Sequence, residues 1–326
     1  MTRKKTCFIF LLTTVVLLAS FLRPNLTLGF PKYPRVEAKS VQPFVPTMVL
    51  TYEGKQWVFY LNEIGFDGID PTTLNQERAM EWIVRTLEHE LNRPARSAYY
   101  RDRRIVPHQD GREVDREQIK EWLNQIHEVM GQPLEVPLNW IKPSLTTEKL
   151  QHLKEKRIGT YTTYYNHRNA NRSHNIHLSV QAIDHKVLLP GEVFSFNRTV
   201  GPRSLGKGYR RARIIVKGEY SEGIGGGICQ TSSTLYNSVD KAGLRIVERQ
   251  THSKHVSYVP RNRDATVSWG GPDFKFQNQL NEPILIVAKA KYGRLTISVY
   301  GPEEIQTVPR KVPTAPKETA QLEVEE

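Results

Sequence analysis

Apolar residues in the first third of the chain recur at the three-to-four-residue spacing of helices that bury one face. This spacing predicts a helix over Thr73–Arg93 and a second helix that is capped by Asp115 and stopped by Gly131. Strand-like runs such as Gln56–Leu61 accompany these helices. Residues 48–145 are therefore predicted to form a small α+β domain.

From residue 150 onward, β-branched and aromatic runs separated by turns predominate, which favours strands. A helix over Asn175–Ile183 and another that follows Cys229 interrupt these runs. Residues 150–301 are therefore predicted to form a β-rich α+β domain, and the whole chain falls in the α+β class. Tyr292 and Gly293 are predicted to be the turn of a β-hairpin. The predicted strands are Thr160–Tyr165, Lys186–Leu189, Val193–Phe196, Arg213–Val216, Leu244–Arg249, Ala265–Trp269, Phe274–Gln277, Ile284–Ala290 and Leu295–Tyr300.

The N-terminus has the pattern of an export segment. Basic residues at positions 3–5 precede an almost uninterrupted apolar run, Cys7–Leu22. We expect an uncleaved single-pass anchor, with cleavage after Gly29 and secretion as the alternative. Residues 1–30 are thus a predicted signal or anchor segment, and the proline-punctuated residues 31–47 a linker. The remainder is expected on the extracytoplasmic face of a bacterial cell membrane or in the cell wall.

The charge balance modifies this interpretation only slightly. The chain has 46 lysine and arginine residues against 34 acidic residues, a formal net charge of +12. For an exported protein, the polyanions that such a charge attracts are wall polymers and lipid head groups, so no nucleic-acid partner is expected. Ordinary solvated surface charge is the alternative. The polar, proline-containing residues 302–326 are predicted to be a disordered tail.

The candidate chemistry centres on Cys229, the single cysteine outside the N-terminal segment. A lone thiol cannot form an internal disulfide. Three glycines precede it and helical spacing follows, so Cys229 is expected at a helix N-terminus. Unpaired N–H groups and the helix dipole favour the thiolate there, which makes Cys229 a candidate nucleophile. A small buried hydrophobic residue is the alternative.

A cysteine nucleophile needs a base, a group that orients the base, and donors for the developing oxyanion. His252 and His255 follow the strand predicted beside the cysteine helix, and either is a candidate base. Asp264 and Glu248 are candidates to orient the imidazole. The two histidines with Cys229 also resemble part of a zinc site, but the further ligands typical of such sites are missing, so we expect no metal and no cofactor. The candidate oxyanion donors are the backbone N–H groups of Gly227, Ile228 and Cys229.

Five segments resemble the VanW domain family, in order and without large gaps between about Arg157 and Tyr300. The segment GREVDREQI, Gly111–Ile119, is similar to the peptidoglycan-binding domain that often precedes VanW domains, so residues 48–145 are expected to bind peptidoglycan. The five segments are GPRSLGKGY (Gly201–Tyr209), GIGGGICQTSSTLYN (Gly223–Asn237), GLRIVERQTHS (Gly243–Ser253), VSYVPRNRDATVSW (Val256–Trp269) and FKFQNQLNEPILI (Phe274–Ile286).

This resemblance implies a cysteine-dependent L,D-transpeptidase of peptidoglycan, with stem peptides as partners. Cys229 is then the nucleophile and His252 the base, and Asp264, in an RDATV-like motif, orients the base. Departures from the family pattern at Gln250, Lys254 and His255 concern the acceptor side. The residues that this interpretation assigns to substrate binding are Arg263, Arg249, Tyr258 and Gln230.

Two other classes of function remain open at the level of sequence. A cysteine that opens a helix and a histidine on an adjacent strand also describe cysteine peptidases and amidases, and water in place of the acceptor amine gives a carboxypeptidase. A wall-anchored binding or scaffold protein with an inert Cys229 is the non-enzymatic alternative.

Overall fold

The computed structural model describes residues 44–216 and 219–317. The predicted signal or anchor segment and nearly all of the predicted linker lie outside these ranges. No helix within the ranges is both long and apolar enough to cross a lipid bilayer.

Small sheets and short helices build the region up to residue 141. Strands β1 and β2 form an antiparallel hairpin that β6 extends in parallel, while β3 pairs with β4 and β5 pairs with β7. These strands, in chain order with the helices, are β1 (Thr47–Tyr52), β2 (Lys55–Tyr60), α1 (Gln76–Ile83), α2 (His89–Leu91), β3 (Tyr99–Arg101), β4 (Arg104–Val106), β5 (Gly111–Val114), α3 (Arg116–Asn124), α4 (Ile126–Val129), β6 (Pro133–Glu135) and β7 (Leu138–Ile141).

The helices predicted in this region are present, each with one irregularity. The helix expected over Thr73–Arg93 consists of α1, a π-helical turn at Val84–Glu88, and α2. Asp115 caps α3 as expected, because its carboxylate accepts hydrogen bonds from the backbone N–H groups of Glu117 and Gln118. A break then separates α3 from α4.

The second region combines two larger sheets with two 14-residue helices, which confirms the α+β class. One sheet has the order β8-β16-β15-β9, the other has the order β10-β14-β13, and β11 and β12 form a separate hairpin. The elements, in chain order, are α5 (Thr147–His152), β8 (Lys156–Tyr164), α6 (Ala170–Ile183), β9 (Lys186–Leu188), β10 (Val193–Ser195), α7 (Phe196–Val200), β11 (Arg211–Val216), β12 (Glu219–Ile224), α8 (Ile228–Lys241), β13 (Arg245–Glu248), β14 (Lys275–Gln277), β15 (Ile284–Lys291) and β16 (Arg294–Gly301).

Helix α8 lies unusually close to the four-stranded sheet. A Cβ atom added at Gly159 on β8 would be 2.4 Å from the Ser238 carbonyl oxygen, so only glycine permits this approach. On the same side, the Ser238 hydroxyl donates a hydrogen bond to the Ile297 carbonyl of β16. The close approach fixes α8, and with it Cys229, against the sheet.

The hydrophobic core has separate clusters on either side of the predicted boundary at residues 145–150. One cluster occupies residues 48–136 and the largest occupies residues 158–305. A smaller cluster joins the two regions by packing Leu145 and its neighbours against Leu285 and Val287. From Val45 onward, the described residues form one compact unit.

The strand predicted over Ala265–Trp269 is not formed. The segment is irregular because its backbone groups bind partners other than a neighbouring strand. The N–H of Ala265 donates to Ser233 Oγ, its carbonyl accepts from the Ser232 hydroxyl, and Thr266 N–H donates to the Gln250 carbonyl. Apolar and β-branched composition misled the sequence prediction here.

The prediction of disorder over residues 302–326 is wrong for its described part, residues 302–317. Arg310 forms an ion pair with Asp240 at 2.9 Å and also donates to the Leu244 carbonyl. The Tyr161 hydroxyl donates to the Pro313 carbonyl, and Ala315 is buried. The segment orders because it supplies partners to groups that the domain already buries.

Candidate active site

Cys229 is the second residue of α8 and follows the glycine-rich turn, which confirms its predicted place at a helix N-terminus. The helix cap is Gly227, with a φ of +106° that side chains other than glycine rarely adopt. A Cβ atom added at Gly227 would lie 3.0 Å from Arg172 Cγ. The Cys229 side chain is partly buried, and its Sγ lies 3.5 Å from the carbonyl oxygen of Val267.

His252 lies between the sulfur of Cys229 and the carboxylate of Asp264. Its Nδ1 is 2.6 Å from Asp264 Oδ2, and its backbone N–H donates to the same oxygen at 2.6 Å. The ring and the thiol lie close enough for each to shift the pKa of the other, and Nε2 is the ring nitrogen that Asp264 leaves available. The three groups therefore have the relative positions of a nucleophile, its base and the group that orients the base.

The surroundings of this pair favour a thiolate and an imidazolium. Burial opposes both charges, but the hydrogen bond to His252 and its positive charge outweigh burial and lower the pKa of Cys229. For His252, burial is outweighed by hydrogen bonds to Asp264 and Cys229, which raise its pKa to about 9. Burial likewise acts against ionisation of Asp264, yet the hydrogen bonds from His252 lower its pKa. The thiolate is the form that attacks carbonyl carbon.

The other candidates for base and orienting group lie elsewhere. The His255 side chain is exposed. Glu248 pairs with Lys275 at 2.8 Å and accepts the backbone N–H of Asp273. The structure thus brings His252 and Asp264 to Cys229 and leaves His255 and Glu248 outside that arrangement.

Two serines that follow Cys229 in α8 hold the segment that carries Asp264. The Ser233 hydroxyl accepts from the N–H of Ala265 at 2.9 Å and donates to the Cys229 carbonyl at 2.7 Å. The Ser232 hydroxyl donates to the Ala265 carbonyl. This role of the two serines was not predicted from the sequence. The run of hydroxyl residues directly after the cysteine is the feature that could have indicated it.

Backbone donors near Sγ differ in availability. The N–H of Ile228 donates to the Gly225 carbonyl at 3.3 Å, while the N–H groups of Gly227 and Cys229 have no acceptor within the described ranges. Of the three predicted oxyanion donors, Gly227 and Cys229 therefore have free N–H groups.

Two of the arginines predicted to bind substrate are engaged within the protein. Arg263 donates to Asn237 Oδ1 and to Asp240, each at 2.7 Å, which places its guanidinium roughly 12–16 Å along α8 from Cys229. Arg249 donates to the carbonyl of Asp264 at 2.8 Å and supports the loop of that residue. Both guanidinium groups thus contribute to the fold around the site, and their predicted role in binding substrate carboxylates stays a prediction.

The remaining predicted substrate residues are buried. Gln230 is fully buried, and its side-chain amide forms hydrogen bonds with Arg172, Thr163 and the Tyr164 carbonyl, so its amide is occupied within the protein and a substrate contact stays a prediction. Tyr258 is also buried, and its hydroxyl lies near Ser233 without a hydrogen bond of good geometry to any described atom. Burial raises its pKa well above the usual range, so the phenol stays protonated.

An arginine that the sequence analysis did not select lies near the cysteine instead. Arg203 belongs to the loop between α7 and β11, and its positive charge contributes to the low pKa of Cys229. Its segment, Gly201–Tyr209, was identified as family-like, but nothing in its sequence indicated which of its residues faces the thiol.

The metal-binding side chains and the cavities of the described ranges form no second centre of this kind. These residues contain no group of three or more His, Cys, Asp and Glu side chains that could hold a metal ion. Two open cavities of about 280 and 320 Å³ are lined by residues between 186 and 199 and by residues 97–100 with 185–192. Neither lining includes Cys229 or His252, so the chemistry of the site and these cavities are separate.

Comparisons with known proteins identify a family that matches the region of this site. A family model described as VanW like protein matches residues 171–300. The uncharacterized protein YoaR of Bacillus subtilis is 56% identical over 183 residues, which are 56% of this chain and 60% of YoaR. The vancomycin B-type resistance protein VanW of Enterococcus faecalis is 29% identical over 113 residues, 33% of this chain and 41% of that protein. No solved structure matches significantly.

The chain thus spans less than two thirds of the length of either curated relative. The family match includes the glycine turn, α8, His252 and Asp264, whereas it does not reach residues 48–145, for which peptidoglycan binding stays a prediction. Residues 171–300 form a VanW-like domain.

Proposed function

We propose that this protein is a cysteine-dependent L,D-transpeptidase that cross-links peptidoglycan stem peptides through a thioester on Cys229. The observation that carries the proposal is that His252, which is hydrogen-bonded to the Asp264 carboxylate, lies beside Cys229 at the start of a buried helix. Acyl transfer on a cysteine needs a nucleophile, a base and a group that orients the base, whereas a protein that only binds its ligand needs none of them.

In the first half-reaction, the Cys229 thiolate attacks the carbonyl carbon of the third stem residue, and the oxyanion forms near the free N–H groups of the helix start. The C–N bond to D-alanine then breaks as the His252 imidazolium gives its proton to the departing amine. The products are an acyl thioester on Cys229, a neutral imidazole and free D-alanine.

In the second half-reaction, the amine of a neighbouring stem attacks the thioester carbonyl. Neutral His252 takes the proton from the attacking nitrogen, and Cys229 leaves as the thiolate. One amide bond has been broken and one formed, and the thiolate and imidazolium are restored. Asp264 keeps the imidazole in one orientation through both steps.

Cellular location and partners are part of the same proposal. The name of the resistance protein VanW links it to vancomycin, an antibiotic that acts at the cell wall. Similarity to VanW supports a wall-associated role for the present protein. We place the protein outside the cytoplasmic membrane, with stem peptides as substrates and anionic wall polymers as weaker partners of its positive charge. Residues 1–30 would supply the membrane anchor and residues 48–145 a contact with peptidoglycan.

The test is incubation of the full-length protein with purified tetrapeptide muropeptides, followed by mass spectrometry. Wild type should form cross-linked dimers and release D-alanine, Cys229→Ala should form neither, and Cys7→Ala, which removes the other cysteine, should match wild type. Equal products from wild type and Cys229→Ala would refute the proposal. Shortened monomers without dimers would refute transfer and establish a carboxypeptidase.

A further inference from the structure

An arginine whose terminal nitrogens are buried packs against the glycine turn. Both terminal nitrogens of Arg203 are inaccessible to solvent and have no hydrogen-bond partner among the described residues. The side chain packs against the turn, since a Cβ atom added at Gly225 would lie 3.1 Å from Arg203 Cβ. Its guanidinium carbon lies 5.7 Å from the ring centre of Phe196, which is fully buried.

A buried guanidinium without a partner destabilises the folded protein unless an anion binds to it. Buried arginines are normally paired, because an isolated buried charge loses its hydration without compensation. Arg263 meets this rule through Asp240, at 2.7 Å. Asp273 is the carboxylate that interacts electrostatically with Arg203. Its oxygens already accept hydrogen bonds from the Ser195 hydroxyl at 2.5 Å and the Asn197 N–H at 2.8 Å.

The position of this cation relative to the nucleophile defines what it could bind. Arg203 and Cys229 interact electrostatically, and both adjoin the glycine turn, Arg203 at Gly225 and Cys229 just after Gly227. In a stem that ends at the residue after the scissile bond, the terminal carboxyl carbon lies within about 4 Å of the carbonyl carbon that is attacked. Because both residues adjoin the glycine turn, a peptide of this length could present its carboxylate to Arg203 while its carbonyl meets the thiolate.

We propose that Arg203 binds the terminal carboxylate of the acyl-donor peptide and selects donors whose scissile bond is followed by a single residue with a free C-terminus. This inference deepens the proposed function and rests on it for the identity of the donor. An Arg fork suits this task because it can hold a carboxylate through two parallel hydrogen bonds. A donor extended by one further residue presents a neutral amide at the same place and leaves Arg203 unpaired.

The first experiment measures anion recognition without acyl transfer. Iodoacetate and iodoacetamide both alkylate Cys229 with loss of iodide, but only iodoacetate carries a carboxylate. Alkylation of the Cys229 peptide in the full-length protein is followed by mass spectrometry. Arg203→Gln should lower the ratio of the iodoacetate rate to the iodoacetamide rate at least about fivefold, as expected when a charge-assisted hydrogen bond is lost. Arg203→Lys should retain part of the preference.

The matched control is Arg245→Gln, which removes an exposed arginine beyond the far end of α8 and should leave the ratio unchanged. An unchanged ratio in Arg203→Gln would overturn the proposal. Equal slowing of both reagents would also overturn it, because Arg203 would then act only on thiolate formation. Should Arg203→Gln fail to fold, protection of wild type serves instead. N-acetyl-D-alanine should slow iodoacetamide, and its C-terminal amide should not.

A second experiment separates this inference from the proposed function. Wild type is given tetrapeptide donors with a free carboxylate or with a C-terminal amide, and the proposal expects at least a tenfold preference for the free acid. An Arg203-dependent alkylation ratio without any acyl transfer would retain the anion site and reject the transpeptidase. Transfer that proceeds equally with both donors would retain the transpeptidase and reject the role of Arg203.

Discussion

Replacing Asp264 with asparagine tests whether the carboxylate sets the charge state of the cysteine and histidine pair. The amide oxygen can still accept the Nδ1–H of His252, so the ring keeps its orientation while the negative charge is lost. The pKa of His252 is raised from 6.5 to about 9, which corresponds to about 3 kcal/mol at 1.36 kcal/mol per pKa unit. Asp264 and Cys229 both contribute to this rise. Loss of an adjacent opposite charge shifts a pKa by about one unit or more, so Asp264→Asn should lower the pKa of His252 by roughly one unit.

The direction of the effect follows from the charges. A less stable imidazolium stabilises the thiolate less, so the midpoint of the pH-rate profile for iodoacetamide alkylation of Cys229 should move upward by about one pH unit. The alkaline limit of acyl transfer, where His252 loses its proton, should move downward by a similar amount.

The assay follows the Cys229 peptide by mass spectrometry between pH 4 and pH 10, with thermal unfolding as the check on folding. Glu248→Gln is the matched control, since it neutralises the other candidate carboxylate, which pairs with Lys275. Superimposable profiles for wild type and folded Asp264→Asn protein would refute the assignment of Asp264 as the group that orients and charges His252.

Further measurements test the Cys229–His252 pair and the residues that hold it in position. Acyl transfer should decline as the pH rises through about 9, where the raised pKa of His252 is passed and the leaving amine loses its proton donor, whereas alkylation should not decline. Ser233→Ala leaves the Ala265 N–H without its acceptor and should lower the free energy of unfolding in urea by about 1–3 kcal/mol. In the matched control Thr266→Ala, a buried hydroxyl without a partner is removed, so no loss is expected. Gly227→Ala should lower both the melting temperature and the alkylation rate, because its φ of +106° disfavours any side chain; unchanged values would contradict this strain argument.

The features that sequence predicted correctly depend on neighbouring residues. The glycine turn and the helix behind it place Cys229 through local geometry alone. Tyr292 and Gly293 have φ values of 49° and 73°, the conformation that a two-residue hairpin turn requires. These two residues alone were sufficient to predict the turn. The Asp115 cap was visible for the same reason, since its partners are two and three residues away.

The features that sequence could not predict depend on partners distant along the chain. Ala265–Trp269 has the composition of a strand, but whether it pairs with a strand or with the serines of α8 is settled by a contact over about 30 residues. Arg263 and Arg203 are alike as residues. Only the folded chain reveals that Arg263 pairs with a carboxylate, whereas the terminal nitrogens of Arg203 are buried without a hydrogen-bond partner among the described residues.

The polar character of α8 explains how the position of Cys229 is fixed. The helix is buried on nearly every side, yet most of its residues are polar. Each of its buried serine, threonine, asparagine and glutamine side chains has a hydrogen-bond partner. Thr231 bonds to Ser179, Thr234 to Thr163, and Ser238 to a backbone carbonyl. An apolar helix could slide or rotate among equivalent packings, whereas this one loses hydrogen bonds with any displacement. His252 lies on a loop, and its position is conferred by Asp264, whose backbone neighbour Ala265 is in turn bound to α8. The helix that carries the sulfur therefore also sets the distance between Cys229 and His252, so the pair is preorganised.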